Sequence, residues 1–229
     1  MKRSEINNAI KDMEEFLEEA HITLPPFSEW TPDDWKNISD EYDEIRSNKL
    51  GWDITDAGLN NFEKVGFSLF TCRNGNSNPK FNSTHNKVYA EKVIMIKEEQ
   101  TFPFHFHWNK SEDIINRYGG VLQITVYNDD GDGGLSDQRV LVDSDGRKYY
   151  VEPGTTIELK PGESITLWPH QYHKFSVKQG TGSVLVGEVS KCNDDDNDNR
   201  FYEDVGRFPE IEEDEAPYRL LCNEYPEAK

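Results

Sequence analysis

Two histidines spaced two apart in a strand-forming run, Phe104-His105-Phe106-His107-Trp108, constrain this chain more than any other feature. In an extended strand residues i and i+2 project from one face, so both imidazoles point to the same side of a sheet. Glu112 follows His107 by five residues, and Gly119 follows Glu112 by seven, so a bent strand can return the carboxylate to the imidazoles. Two imidazoles and a carboxylate suit a divalent transition ion better than magnesium or calcium. A second stretch, Gly162-Glu163-Ser164-Ile165-Thr166-Leu167-Trp168-Pro169-His170-Gln171-Tyr172-His173, reads as a turn, a strand and a kink that delivers a further imidazole.

The remaining pattern is mostly strand and turn. Segments 88–97, 121–128, 139–143, 164–169, 173–178 and 183–190 are β-rich. Before them, Ile6, Ala9, Ile10, Met13, Phe16 and Leu17 fall on one face of a helix over 4–20, with Ser4 as its cap. Leu24-Pro25-Pro26-Phe27 breaks that helix. Thr31-Pro32-Asp33-Asp34 starts a second, with a cap, a first-turn proline and two acids at the positive dipole end, and it is expected to run to about 48. The reading is a helical extension over 1–53 and a closed antiparallel barrel with a C-terminal extension over 54–229. The acidic segment 128–134 resembles a calcium loop but lacks the twelfth-position glutamate and flanking helices, so it reads as a flexible turn. Segment 193–199 reads as a solvated loop.

Composition removes several classes of function. The net charge is −19, from 44 acidic and 25 basic side chains, which repels phosphate backbones and anionic membrane surfaces and favours a neutral ligand. No run of 18 apolar residues offers a membrane span, and the first 21 residues lack the apolar core of a secretion signal. Cys72, Cys192 and Cys222 are odd in number and scattered, which reads as free thiols in the cytoplasm.

The two histidine stretches together resemble the paired signature motifs of the cupin superfamily, small metal-binding β-barrels. The first motif there runs Gly-x5-His-x-His-x3,4-Glu-x6-Gly; the chain matches from His105 to Gly119, with Glu99 in place of the opening glycine. The second motif places its histidine eleven after its glycine, as 173 − 162 = 11, with Trp168, His170 and Val177 departing from its proline, inner glycine and asparagine. That spacing favours His173 over His170 as fourth ligand beside His105, His107 and Glu112. The implied fold is an all-β cupin barrel, antiparallel and of jelly-roll type, with an N-terminal helical extension. Three imidazoles and one carboxylate leave two adjacent positions on a six-coordinate ion; manganese or iron fits, and zinc, nickel and cobalt also accept these ligands.

The C-terminal strings narrow the resemblance. Gly187-Glu188-Val189-Ser190, Asp198-Asn199-Arg200-Phe201-Tyr202-Glu203, Gly206-Arg207-Phe208-Pro209 and Tyr218-Arg219-Leu220-Leu221-Cys222-Asn223-Glu224-Tyr225-Pro226, with the opening Met1-Lys2-Arg3-Ser4-Glu5-Ile6-Asn7, resemble the bacterial D-lyxose ketol-isomerase family over nearly the full length. The resemblance implies a free monosaccharide substrate, D-lyxose to D-xylulose with D-mannose to D-fructose as analogue, manganese, and a homodimer.

Aldose–ketose exchange needs a carboxylate to carry the carbon-bound proton and a second group for the oxygen proton. Glu203 is the first candidate for the base. Glu188 is the second, because it shares a strand face with Val184 and Val186 and can point into the barrel. Lys110, between His107 and Glu112, is positioned to stabilise a developing alkoxide or donate a proton. Asp198 and Arg207 are candidates for the distal hydroxyls. Each has a bland alternative as a surface or paired charge. Phe106, Trp108 and Trp168 read as core or pocket wall, His21 and His85 as surface residues, and His170 as a group behind the ligands. Rival readings are a cupin dioxygenase or decarboxylase, since the barrel hosts many reactions, and a non-catalytic sugar-binding cupin.

Overall fold

A computed structural model describes residues 1–76, 86–195, 197–206 and 209–229. Its helices are α1 (Arg3–Glu19), α2 (Pro32–Trp35) and α3 (Asp43–Ser47). The strands are β1 (Gly51–Thr55), β2 (Phe67–Arg73), β3 (Tyr89–Ile96), β4 (Thr101–His107), β5 (Glu112–Gly119), β6 (Leu122–Asn128), β7 (Val140–Ser144), β8 (Arg147–Val151), β9 (Thr156–Leu159), β10 (Ser164–Leu167), β11 (Gln171–Val177), β12 (Val184–Lys191) and β13 (Asn199–Phe201). They form two antiparallel sheets, ordered β1-β2-β3-β12-β5-β10-β7-β8 and β13-β4-β11-β6-β9. The sheets pack face to face as a jelly-roll barrel, with the N-terminal helix outside.

The barrel interior is filled by Ile94, Ile96, Ile114, Ile124, Val184 and Val186 among others, the inward half of each strand's alternation. Strands β3 and β12 are buried on both faces, because α1 lays Ile6, Ile10, Met13 and Leu17 against Phe70, Val93, Met95 and Leu185. This double burial explains the unbroken apolar run Val93-Ile94-Met95-Ile96.

Two helix expectations are corrected. Helix α1 begins at Arg3, ahead of Ser4, because Glu5 Oε2 accepts the Lys2 N–H at 2.8 Å. Ser4 instead ties the helix to the C-terminal segment through Asp214, donating its N–H at 2.9 Å and its hydroxyl at 2.7 Å. The helix expected over 31–48 has its Thr31 cap, with Asp34 N–H donating to Thr31 Oγ1 at 3.2 Å, but breaks into short turns after Trp35. The Ile38 and Ser39 carbonyls turn to the Arg46 guanidinium, at 2.9 and 3.2 Å, instead of continuing a helical ladder. In the turn at 128–134, Asp130 Oδ1 accepts the Asp132 and Gly134 N–H groups at 2.9 and 2.8 Å. None of the three cysteines is in a disulfide, and no described helix is long and apolar enough to cross a membrane.

Two motif positions show why their residues are there. Gly119 has φ +92, and a Cβ at that position would lie 2.2 Å from the Ser183 carbonyl oxygen, so only glycine closes the first motif. His170, standing where the cupin pattern has its inner glycine, carries the left-handed conformation itself at φ 63.

Candidate functional site

Strand pairing assembles the site. Strand β4 lies between β13 and β11, with His105 directly opposite His173 on one side and Phe201 on the other. Glu112, the first residue of β5, comes from the facing sheet, where it lies across from Leu167 and Ser190. The three imidazoles thus descend from the small sheet and meet a carboxylate rising from the large one. His105, His107, Glu112 and His173 are all buried.

The hydrogen bonds around the rings set their tautomers. The Nδ1 of His105 lies 2.9 Å from the Pro103 carbonyl, and that of His173 lies 3.0 Å from the Gln171 carbonyl. Each Nδ1 therefore carries its proton to that acceptor, which leaves each Nε2 as a bare lone pair. Those two Nε2 atoms are 3.0 Å apart, where two facing lone pairs repel. Glu112 Oε1 lies 3.2 Å from His173 Nε2, and Glu112 Oε2 lies 3.5 Å from His107 Nε2. Neighbouring donors on an octahedral ion with bonds of ~2.1 Å are ~3.0 Å apart, so the spacing fits coordination of one cation. Imidazole donors of His105, His107 and His173 lie within 4.8 Å of one another, and this buried cluster could hold a metal ion. His107 Nδ1 is buried without a hydrogen-bond partner. Burial, then the neighbouring His173 and His107, keeps the His105 imidazole well below its usual range. Burial also pushes His173 down to about 4, against the pull of Glu112. Both rings are thus neutral, the form that binds metal.

Lys110 is buried beside this cluster. Its ammonium donates to Glu112 Oε2 at 2.7 Å and to Glu188 Oε1 at 2.8 Å. Burial opposes its charge, but the two carboxylates hold its pKa above the ordinary lysine range. Burial would raise the Glu112 carboxyl; Lys110 and then His107 reverse this and hold it well below the usual carboxylate range. Glu188 is likewise lowered, with Lys110 and Lys92 outweighing its desolvation. Glu188 Oε1 also accepts the Ser190 hydroxyl at 3.1 Å, while no hydrogen bond to Oε2 comes from the described residues.

The other candidates are placed differently. The Asp198 carboxylate is engaged by the turn after β4: Oδ1 accepts the Asn109 N–H at 2.8 Å, and Oδ2 accepts the Lys110 N–H at 3.0 Å. Asp198 thereby fixes the backbone that carries Lys110. Glu203 lies in an exposed bend after β13 and does not line the cavity. Arg207 and His85 lie outside the described residues. His170 stands outside the barrel, its ring stacked on Phe106 at 5.1 Å and its Nδ1 3.2 Å from Asp129 Oδ2. Trp108 and Trp168 are 40% and 43% exposed, and neither they nor the buried Phe106 line the cavity. His21 is exposed, as expected.

The cavity holds about 420 Å³ of open space, counted to its mouth. Its polar wall is His105, His107, Lys110, Glu112 and Glu188, and its apolar wall includes Phe102, Phe175 and Phe201. Four further polar residues, Lys92, Asn193, Asp195 and Asn199, also line it. The sequence reading assigned none of them to the site. For Lys92 the signal was present: Ala90, Lys92, Ile94 and Ile96 alternate with Glu91, Val93 and Met95, so a lysine shares the inward face of β3.

Residues 1–225 match the family model described as D-lyxose isomerase. A D-lyxose/D-mannose isomerase of Serratia proteamaculans is 44% identical over 226 residues, 98% of this chain and 98% of that protein. A D-lyxose/D-mannose isomerase of Escherichia coli O157:H7 is 42% identical over the same share of each chain. Among solved structures, Cellulomonas parahominis L-ribose isomerase with L-ribose superposes with a TM-score of 0.59 at 12% identity, covering 93% of this chain and 98% of that one. At that identity the last match speaks for the fold alone.

Proposed function

Because the chain belongs to the D-lyxose isomerase family and is a sugar isomerase, we propose that its cavity interconverts free aldoses and ketoses, D-lyxose with D-xylulose and D-mannose with D-fructose. His105, His107, His173 and Glu112 would hold a divalent ion, manganese in this reading. Such an ion supplies Lewis acidity toward the two sugar oxygens that exchange hydrogen. By the family resemblance the reading includes a homodimer in the cytoplasm.

The observation that carries it is the Lys110–Glu188 pair on the wall beside the imidazoles. Isomerisation moves one hydrogen between C2 and C1 and one proton between O2 and O1. Glu188 lines the cavity with its pKa held below the usual carboxylate range and with no described residue bonded to Oε2, so that oxygen is the one to accept the proton from C2 and return it to C1. Lys110 gives a proton to the sugar oxygen O1 where negative charge develops and regains one from O2, in a site where burial strengthens the interaction. Asp198 acts through the backbone, fixing the N–H of Lys110. Phe102, Phe175 and Phe201 exclude water from the reacting carbons. A neutral sugar accords with the −19 net charge of the chain.

The test incubates metal-stripped protein with D-lyxose and with D-mannose in deuterated water, with and without manganese. Ketose should form only with manganese, equally with and without oxygen, and should carry deuterium. Glu188→Gln should slow turnover by roughly 10²- to 10⁴-fold, the usual range for a positioned general base, and Glu203→Gln should stay close to wild type. No ketose under any condition refutes the reading. An active Glu188→Gln with an inactive Glu203→Gln returns the base to Glu203.

A further inference from the structure

We propose that Lys92 is a positioning residue for the isomerisation, acting through Glu188. The inference rests on the reading above and adds a residue to it. Lys92 projects from the inward face of β3 and is 5% exposed. A lysine buried to this degree is rare unless it is paired, because its charge loses water. Its ammonium lies 3.5 Å from Glu188 Oε1 and donates to Asn193 Oδ1 at 2.8 Å. Asn193 is itself held. Its N–H donates to Asn74 Oδ1 at 2.9 Å, and Asn74 Nδ2 donates back to the Asn193 carbonyl at 3.1 Å. Asn74 is anchored in turn to Asn48, through Nδ2 to the Asn48 carbonyl at 3.2 Å and through its own carbonyl to Asn48 Nδ2 at 3.0 Å. A chain of three asparagines thus fixes the position of one buried cation.

The effect of that cation falls on one oxygen. Lys110, Ser190 and Lys92 all approach Glu188 Oε1, at 2.8, 3.1 and 3.5 Å, no described residue bonds Oε2, and Glu188 lines the cavity. Lys110 alone cannot enforce this, since it also serves Glu112 at 2.7 Å and leans 3.4 Å from Asn193 Oδ1. The Ser190 hydroxyl adds no second fixed bond, since its single proton is shared with the Lys191 carbonyl at 2.8 Å. Without Lys92 the carboxylate can therefore rotate about its last torsion and offer either oxygen to the Lys110 ammonium, because this torsion is broad and two-fold. Lys92 breaks the two-fold equivalence, so the oxygen facing the sugar stays unbonded and aligned. A fixed base of this kind raises turnover through alignment and contributes little to holding substrate.

The experiment compares wild type, Lys92→Met, Lys92→Arg, Glu188→Gln and the Lys92→Met/Glu188→Gln double variant, all loaded with manganese. Lys92→Met should keep wild-type manganese content and a KM within about threefold, while kcat falls roughly 10- to 100-fold, the usual effect of removing a group that orients a reactive one. Lys92→Arg should recover part of that loss. Thermal unfolding supplies a readout independent of turnover: Lys92→Met should lower Tm in the wild-type background and clearly less in the Glu188→Gln background, as coupled residues do. A kcat within twofold of wild type, or equal Tm losses in the two backgrounds, overturns the proposal. If Lys92→Met does not fold, Asn193→Ala takes its place, with the same direction expected in kcat and the same result overturning it. Wild-type protein inactive on both sugars would refute the isomerase reading, whereas active wild type with an unaffected Lys92 variant would refute this inference alone.

Discussion

Two ion networks in this protein, each built on a buried cation, use the same chemical groups to different ends. Around Arg3, one guanidinium meets two carboxylates. Nε and one terminal nitrogen fork onto Glu213 at 2.9 and 2.7 Å, and both terminal nitrogens reach Glu224. Every oxygen of those two carboxylates is taken, with Glu224 Oε2 also accepting the Leu221 N–H at 2.8 Å. That network clamps α1 to the C-terminal segment and leaves none of its carboxylate oxygens without a partner. Around Lys110 the bookkeeping stays open: the imidazole donors of His105, His107 and His173 converge on one another, and Glu188, whose Oε2 accepts no hydrogen bond from the described residues, lines the cavity. A network closed within the chain serves the fold, whereas one that leaves donors and acceptors directed at a space serves a ligand.

The sharpest way to break this comparison is at the open network. His173→Ala should reduce bound manganese to background and abolish isomerisation, with far-ultraviolet circular dichroism unchanged. Metal analysis of the dialysed variant checks it. Full metal retention would show that the imidazole cluster is not the ligand set.

Next in size is the closed network. Arg3→Met leaves the Glu224 carboxylate, 22% exposed, without its cation, while Glu213 at 57% exposed can turn to water. Removing one member of a fully buried pair costs about 3–5 kcal/mol, and solvent around both glutamates brings the expectation here to about 1–3 kcal/mol. Urea unfolding should show that loss while kcat and KM of the folded enzyme stay at wild-type values. Lost turnover without lost stability would mean that the clamp communicates with the cavity and that the two networks are one.

The same contrast explains what could be read from the sequence. The clustering of His105, His107 and Glu112 was legible because they are close in sequence and a strand has a fixed period, so spacing alone puts them together. Glu188 was legible as an inward residue for the same reason, and its burial next to the exposed Val189 follows that alternation. Strand β13 was not: three residues, Asn199–Phe201, carry no periodicity and pair only because β4 presents an open edge. The exposed position of Glu203 follows from where that short strand ends. The second helix failed for a tertiary reason. Trp35 stacks on Tyr225 at 3.8 Å, and Arg46 captures the Ile38 and Ser39 carbonyls, contacts between distant residues and across a turn that local pattern does not encode. Closed networks such as Arg3–Glu213–Glu224 span more than 200 positions, and opposite charges that far apart give no sequence signal.

The smallest effect tests the boundary between the inside and outside of the site, at His170 and His173. Only Gln171 and Tyr172 separate them, yet His173 enters the cluster while His170 turns out to stack on Phe106 with φ 63. A non-glycine residue held there costs about 1–2 kcal/mol, which glycine avoids. His170→Gly therefore relieves strain but forfeits the Phe106 stack and the 3.2 Å contact to Asp129, so its stability should lie close to wild type. His170→Ala loses the same contacts and keeps the strain, so it should be less stable than the glycine variant by about 1 kcal/mol in urea unfolding. Both should retain manganese and turnover. An alanine variant as stable as glycine would mean that the turn between β10 and β11 relaxes out of the left-handed region. The kink that separates an exterior histidine from an interior one would then rest on Pro169 and the strand register instead of on His170.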